Sequence, residues 1–163
     1  MANLIKQAAG ALLSGLTYAN CGFTLSDFTS RANNGFVLAS SNLDNSTALD
    51  LELQVSFEFE VGGTTTTGAC CYLFLMPLNR DATTFGDGTI TGSVMPGFVP
   101  YRKETAQVAV GITAGNLVRG TFDPIRIPPG VFRLGIGQST GVALDATANA
   151  QVQARSIVLN NNG

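Results

Sequence analysis

Hydrophobic and polar residues alternate strictly between residues 49 and 61. The apolar positions are Leu49, Leu51, Leu53, Val55, Phe57, Phe59 and Val61, and the polar ones are Asp50, Glu52, Gln54, Ser56, Glu58 and Glu60. A period of two is typical of a strand that buries one of its faces. The pattern therefore predicts an amphipathic β-strand whose odd-numbered side chains enter a core, while the even-numbered ones face water or a partner.

Shorter apolar segments predict further strands. Residues 69–76 form a continuous apolar run, which predicts a central strand that is covered on both faces. The other predicted strands are residues 36–39, 89–95, 105–112, 122–127, 131–137 and 151–159. The last of these loses its alternation between Ala154 and Ile157, and we interpret the slip as a β-bulge.

Turn-forming residues separate these segments. The Gly and Thr residues at 62–68 predict an exposed hairpin loop between the long strand and the central one. Residues 79–92 predict a longer polar loop, and residues 127–130 (Ile-Pro-Pro-Gly) a tight turn. Short strands divided in this way are typical of an all-β fold. We expect an antiparallel β-sandwich of jelly-roll or Greek-key type over residues 18–163.

Residues 1–17 precede the predicted sandwich and have no obvious place inside it. They predict an N-terminal arm, either an ordered arm or a short helix over residues 4–13, which Gly10 weakens. Lys6 and Gln7 interrupt any resemblance to a secretion signal. An apolar segment with one charge gains most by burial at an interface. The candidate assembly residues are therefore Leu4, Ile5, Leu12, Leu13 and Leu16.

Composition narrows the function classes. The chain has 163 residues, of which 45% are hydrophobic and 12% charged, with a formal net charge of −2. These values predict one folded domain rather than a disordered chain. The near-neutral charge argues against nucleic acid as a partner, because binding phosphates needs clustered Lys and Arg. No apolar run approaches the ~18 residues of a membrane helix, so we expect no membrane partner.

Histidine is absent, which removes the usual general base and the commonest metal ligand. We therefore expect no enzyme, with no catalytic, cofactor-binding or metal-binding residues. The cysteines are Cys21, Cys70 and Cys71. An odd number argues against a closed disulfide framework, and reduced, packed thiols suit folding in a cytoplasm.

The carboxylates offer two candidate chemical sites, a glycosidase pair and a calcium loop. Glu58 and Glu60, like Asp50 and Glu52, would share one face of the long strand, as a glycosidase pair requires. They also occupy the polar phase of an amphipathic strand, and the favoured interpretation is a solvated face. The oxygen ligands for calcium would be Asn79, Asp81, Thr83 and Asp87. Their spacing differs from an EF-hand, and an ordinary polar loop is favoured.

The remaining candidates are weaker. A Ser-Lys pair would use Lys6 or Lys103, and neither lies in a catalytic motif. The pairs Gly86-x-Gly88 and Gly135-x-Gly137 precede no helix, so turn or bulge glycines are favoured over a phosphate-binding loop. Scattered basic residues predict surface ion pairs, with contact to an acidic protein surface as the alternative; they are Arg102, Lys103, Arg119, Arg126, Arg133 and Arg155.

The order of these features resembles virion proteins of tailed bacteriophages. It is similar to the small β-sandwich proteins encoded among phage head genes, some of which are jelly-roll decoration (cement) proteins. The resemblance covers about residues 45–159 and lies in turn and strand patterns: residues 49–61, 62–68, 72–81, 84–88, 96–101, 127–136 and 139–144.

This resemblance implies a structural protein that decorates and stabilises a capsid through protein–protein contacts. Its partner would be the major capsid protein or another virion protein, with a trimer or dimer of its own copies. It would be made in the host cytoplasm and located in the virion. The alternatives are a tail or fibre-attachment module and a carbohydrate-binding β-sandwich module, although the absence of Trp removes the best aromatic platform for a sugar.

Overall fold

The computed structural model describes residues 5–9, 19–47, 50–81, 83–85, 101–147 and 149–161. Within these ranges the chain forms ten strands in two antiparallel sheets and two short 3₁₀ turns, Ala19–Gly22 and Leu25–Phe28. The predicted all-β sandwich is confirmed. None of the helical segments in these ranges has the length and apolar character needed to cross a membrane.

Each sheet has five strands. The first sheet has the order β1 (Ile5–Ala9), β10 (Ala150–Asn161), β4 (Glu52–Glu60) and β7 (Leu117–Thr121), and β8 (Ile125–Arg126) also pairs with β4. The second has the order β2 (Phe36–Leu38), β9 (Val131–Ser139), β5 (Cys70–Pro77) and β6 (Arg102–Gln107), and β3 (Leu43–Asp44) also pairs with β9.

The alternation in β4 places one row of side chains in the core between the sheets. Leu53, Val55, Phe57 and Phe59 are all buried, and Val61 after the strand is buried too. The ring of Phe57 lies 5.1 Å from the rings of both Phe59 and Phe122, measured between centroids. The predicted register of this strand is therefore confirmed from Leu53 onward.

The prediction is wrong at the start of this strand. Leu51 is 49% exposed and Asp50 is buried, which reverses the expected pattern, while Leu49 lies outside the described residues. The cause is the buried amide of Asn45, whose Oδ1 accepts from Asp50 N at 2.8 Å and whose Nδ2 donates to Asp50 O at 2.9 Å. These two hydrogen bonds occupy the backbone N–H and C=O of Asp50, so the pairing of β4 with its neighbouring strands begins only at Glu52.

The central strand β5 is covered on both faces, as predicted. Cys71, Leu73 and Leu75 join the core between the sheets. The opposite face packs in a second apolar cluster, whose buried members are Phe36, Phe74, Met76 and Phe85. All three cysteines are free and buried, and burial raises the pKa of the Cys21 thiol to about 12. The thiols are thus packed as small apolar groups.

The loop at 62–68 is a crossover between sheets and not the predicted hairpin. It joins β4 of the first sheet to β5 of the second. Thr65 is buried in this loop, where its Oγ1 donates to Ala109 O at 2.8 Å and accepts from Ile112 N at 2.9 Å. These bonds fix the crossover against the loop that leads from β6 to β7.

Several predicted strand limits needed correction. The strand expected at 105–112 is β6, which ends at Gln107, and Val110 is 58% exposed. The strand expected at 122–127 is reduced to β8, and β7 was missed because Arg119 and Gly120 interrupt its apolar pattern. The segment 89–95 lies outside the described residues.

The bulge expected between Ala154 and Ile157 is absent from the described pairing. β10 and β4 keep a continuous register from Ala150 to Ile157. The register shift occurs instead between Leu73 and Phe74, where β5 pairs with β6. The sequence of β10 therefore loses its apolar alternation without any irregularity in the pairing with β4.

The N-terminal segment forms a strand where a helix was one of the expectations. Ile5–Ala9 is β1, which pairs antiparallel with Ile157–Asn161 of β10. Hydrogen bonding to the free edge of β10 favours the extended form over an isolated helical turn. Of the five candidate assembly residues, Ile5 is in β1, and the other four, Leu4, Leu12, Leu13 and Leu16, lie outside the described residues.

Gly135 provides a test of the second apolar cluster. A Cβ atom at this position would lie 2.3 Å from Cζ of Phe36, whose ring packs edge-on at 5.2 Å from Phe74. We expect Gly135→Ala to lower the free energy of unfolding by about 1–3 kcal/mol, the usual cost of overpacking. Denaturant unfolding measures this change.

The matched control is Gly135→Ala combined with Phe36→Leu, since leucine has no ring to meet the added methyl group. The double variant should lose less stability than the sum of the two single variants. Strict additivity would contradict the described contact between Gly135 and Phe36.

Candidate functional site

The outer face of the first sheet is polar along three neighbouring strands. β4 contributes Ser56 and Glu58 to it, because its odd-numbered residues are used by the core. β7 contributes Arg119 and Thr121, and β10 contributes the exposed residues Gln151, Gln153 and Arg155. The strand register brings these residues side by side, although they are far apart in sequence.

Glu58 and Arg119 form an ion pair in the middle of this face. They are register partners in β4 and β7, and Arg119 Nε donates to Glu58 Oε2. The side chain of Arg119 is 66% exposed and that of Glu58 29% exposed. Such an exposed pair adds at most about 1 kcal/mol to stability. Its main effect is to cancel the charge at the centre of the face.

The carboxylates predicted as a possible glycosidase pair have separate partners. Glu58 pairs with Arg119, whereas Glu60 accepts from Thr147 Oγ1 at 3.1 Å and from Asn149 Nδ2. The other two carboxylates, Asp50 and Glu52, are separated from each other, because Asp50 is buried ahead of the strand while Glu52 lies in β4. Glu58 and Glu60 are thus bound to different donors and do not form a pair.

A groove of about 440 Å³ crosses the polar face. Its lining includes Ser56, whose Oγ lies 3.0 Å from Thr121 Oγ1, and Gly120 between Arg119 and Thr121. The lining also includes Phe57 and the longer polar side chains of Glu58, Arg119, Gln151 and Gln153. Short residues flanked by long ones produce the depression, so the groove is a direct result of the strand register.

A second groove of about 460 Å³ adjoins the first at Arg119. It is lined by Ile112 and Thr113 in the loop before β7 and by Leu117 at the start of β7. The loop is held by Asn116, whose Nδ2 donates to Thr113 Oγ1 at 2.9 Å, and by the bond from Ile112 N to Thr65. Arg119 therefore lies where the two grooves meet, and hydrogen bonds hold the loop that lines the second groove in place.

The polar loop with the candidate calcium ligands contains an internally bonded carboxylate. Asp81 accepts from Thr83 N at 3.0 Å, from Thr84 N at 2.9 Å and from Thr84 Oγ1 at 2.6 Å. These bonds, led by the Thr84 hydroxyl, lower the pKa of Asp81 to about 2. Asn79 also bonds Thr84, whereas Asp87 lies outside the described residues. Within the described ranges, no three His, Cys, Asp or Glu side chains form a metal-binding group.

The other basic residues are distributed over both sheets. Arg102 lies 5.1 Å above the ring of Tyr72, and Arg133 lies 4.4 Å above that of Phe85. Arg126 pairs in register with Glu52, and Lys6 and Lys103 belong to strands of different sheets. Arg102 and Arg133 thus lie over different aromatic rings, and the named basic residues are divided between the two sheets. Gly135 packs against Phe36, while Gly86 and Gly88 lie outside the described residues.

Sequence reasoning named Glu58 and Arg119 but missed their polar neighbours. Ser56, Thr121, Gln151 and Gln153 carry no charge and belong to no motif, so nothing marked them individually. The alternation of Gln151 and Gln153 with buried Val152 and Ala154 was the available signal. Recognising the groove required the pairing of β4 with both β7 and β10.

Comparison with known proteins gave no matching family model, no similar curated protein and no similar solved structure.

Asp81 offers a direct test of the loop geometry. We expect its carboxyl group to titrate at about pH 2 in an NMR experiment. Thr84→Val should raise this pKa, because it removes the hydroxyl donor that contributes most. Because the folded-state pKa is lowered, the loop bonds stabilise the protein above the ordinary carboxyl pKa, and that stabilisation is lost as the pH falls toward 2.

The matched control is Thr67→Val, the same substitution in an exposed position of a different loop. It should leave the titration of Asp81 unchanged. An ordinary pKa for Asp81 in the natural chain would show that the described bonds do not form in solution.

Proposed function

We propose that this protein is a structural component of a tailed-phage virion that decorates and stabilises the capsid through protein–protein contacts. Three features support the proposal: the order of the strands, the staggered pairing of β1, and the resemblance in turn and strand pattern. The staggered pairing carries most of the argument.

We assign the sandwich to the jelly-roll type on its strand order. The first sheet runs β1-β10-β4-β7 and the second β2-β9-β5-β6. β8 pairs with β4 next to the position of β7, and β3 pairs with β9 next to the position of β2. Winding two Greek keys together interleaves early and late strands in this manner, and the architecture is common in viral capsid and lectin domains. Because one fold serves many functions, this order supports the proposal without carrying it.

β1 pairs with the part of β10 that extends beyond the first residue of β4. β4 pairs with residues 150–157 of β10, and β1 pairs with Ile157–Asn161, so the two pairings share only Ile157. Within the described residues, the end of β10 and β1 together make a two-stranded ribbon past the first residue of β4. A two-stranded ribbon alone is marginally stable in water. A contact with another chain would therefore stabilise it.

The outer edge of β1 is suited to such contact. β1 is the last strand at its side of the sheet, as far as the described residues extend. An edge strand presents unpaired N–H and C=O groups, and a strand from another chain satisfies them by extending the sheet. We propose that the ribbon docks on the major capsid protein or on a sister copy, in a trimer or dimer.

Removal of residues 1–17 tests this assignment. The core pairing between β10 and β4 does not use β1, so the shortened protein should remain folded, with a β-sheet circular dichroism spectrum. Its binding to undecorated particles should fall sharply, or its oligomer should become smaller in sedimentation. Full binding with an unchanged oligomer would exclude the ribbon from docking.

A single substitution gives a finer version of the experiment. Gln7→Pro removes one backbone donor from β1 and fixes its φ angle, which weakens an edge strand. Gln7→Ala keeps the donor and is the matched control.

Mass spectrometry of purified particles tests the location of the protein. Detection in heads supports decoration, detection in tails alone would support the tail alternative, and absence from particles would refute the virion role.

A further inference from the structure

We infer that the groove on the outer face of the first sheet is a binding site for a neutral saccharide. This inference rests on the polar groove around Glu58 and Arg119 and is independent of the proposed docking through β1. The shape, the charge balance and the hydrogen-bonding groups of the groove each contribute to it.

The shape favours an elongated ligand. The groove crosses from Gln151 and Gln153 on β10, over Ser56 on β4, to Arg119 on β7, where the second groove continues along the adjoining loop. Neighbouring strands are about 4.8 Å apart, so the crossing of three strands alone spans about 10 Å. A short oligosaccharide has the dimensions to lie along such a path, whereas a single ion would contact only a small part of it.

The charge balance favours a neutral ligand. The carboxylate of Glu58 accepts from Arg119 in the groove, so the two formal charges compensate each other. An anion would have to compete with Glu58 for the guanidinium group, and a cation would meet Arg119 beside the carboxylate. The other polar groups, on Ser56, Thr121 and the two glutamines, are uncharged.

The hydrogen-bonding groups match sugar hydroxyls. Each glutamine amide offers both a donor and an acceptor, and the hydroxyls of Ser56 and Thr121, which share one hydrogen bond, leave one O–H donor and further acceptor lone pairs free. Sugar hydroxyls also donate and accept, so they can pair with either side of these groups. A peptide would satisfy its backbone best at a sheet edge, and this groove lies on a sheet face. The face therefore fits a saccharide better than a peptide.

The test combines a screen with a matched pair of variants. Neutral oligosaccharides are screened by saturation-transfer NMR against the full chain, and those that bind are titrated while backbone amide signals are followed. Binding should shift the amides of Ser56, Arg119, Gln151 and Gln153. The double variant Gln151→Ala and Gln153→Ala should weaken binding by about tenfold or more without altering the melting temperature.

The control variant is Gln107→Ala, which removes an exposed glutamine from β6 of the other sheet. It should bind the same sugar with unchanged affinity. Particle binding by the double glutamine variant should also be unchanged, which separates this inference from the proposed docking.

Three outcomes would overturn the inference. The first is that no neutral oligosaccharide shifts the groove amides of the natural chain at millimolar concentration. The second is sugar binding that the double variant leaves intact. The third is a virion protein segment that cross-links within the groove and prevents access to it, because the face would then be a protein contact.

Discussion

The alternation of side chains along β4 is the constraint on which the rest of the structure depends. Its buried row, from Leu53 to Phe59, lies between the sheets, where the Phe57 ring contacts those of Phe59 and Phe122. Burying one such aromatic side chain contributes about 1.5–3 kcal/mol. Because a strand has two faces, this burial also directs Ser56 and Glu58 outward. The core and the candidate binding face are therefore opposite sides of one strand.

A strict period of two was sufficient to predict this part of the molecule. The sequence supported the all-β sandwich, the buried register from Leu53 onward and the central position of β5, since each follows from local pattern and burial. Glu58 and Arg119 were also recognised as an outer carboxylate and a surface basic residue. Their pairing was not predictable, because it depends on a register between strands that are distant in sequence.

Buried polar side chains that hydrogen-bond to distant backbone groups explain where the local sequence pattern did not predict the structure. Asn45 holds the backbone of Asp50 and so reverses the expected exposure at Leu51. Gln138 is buried in the same manner: its Nε2 donates to Ala32 O at 2.6 Å, and its Oε1 accepts from Thr140. The partners of these side chains are set by tertiary structure. A polar residue in an apolar strand gives no local indication of which backbone groups it will satisfy.

The central functional claim is that a rigid sandwich docks through the ribbon formed by β1 and the end of β10. Hydrogen exchange on the free and particle-bound protein tests it most directly. In the free protein we expect the amides of β1 and residues 158–161 to exchange faster than those in the pairing of β4 with β10, and on particles we expect the ribbon amides to become protected. Ribbon amides already as protected as the core in the free protein, and unchanged on particles, would contradict the account.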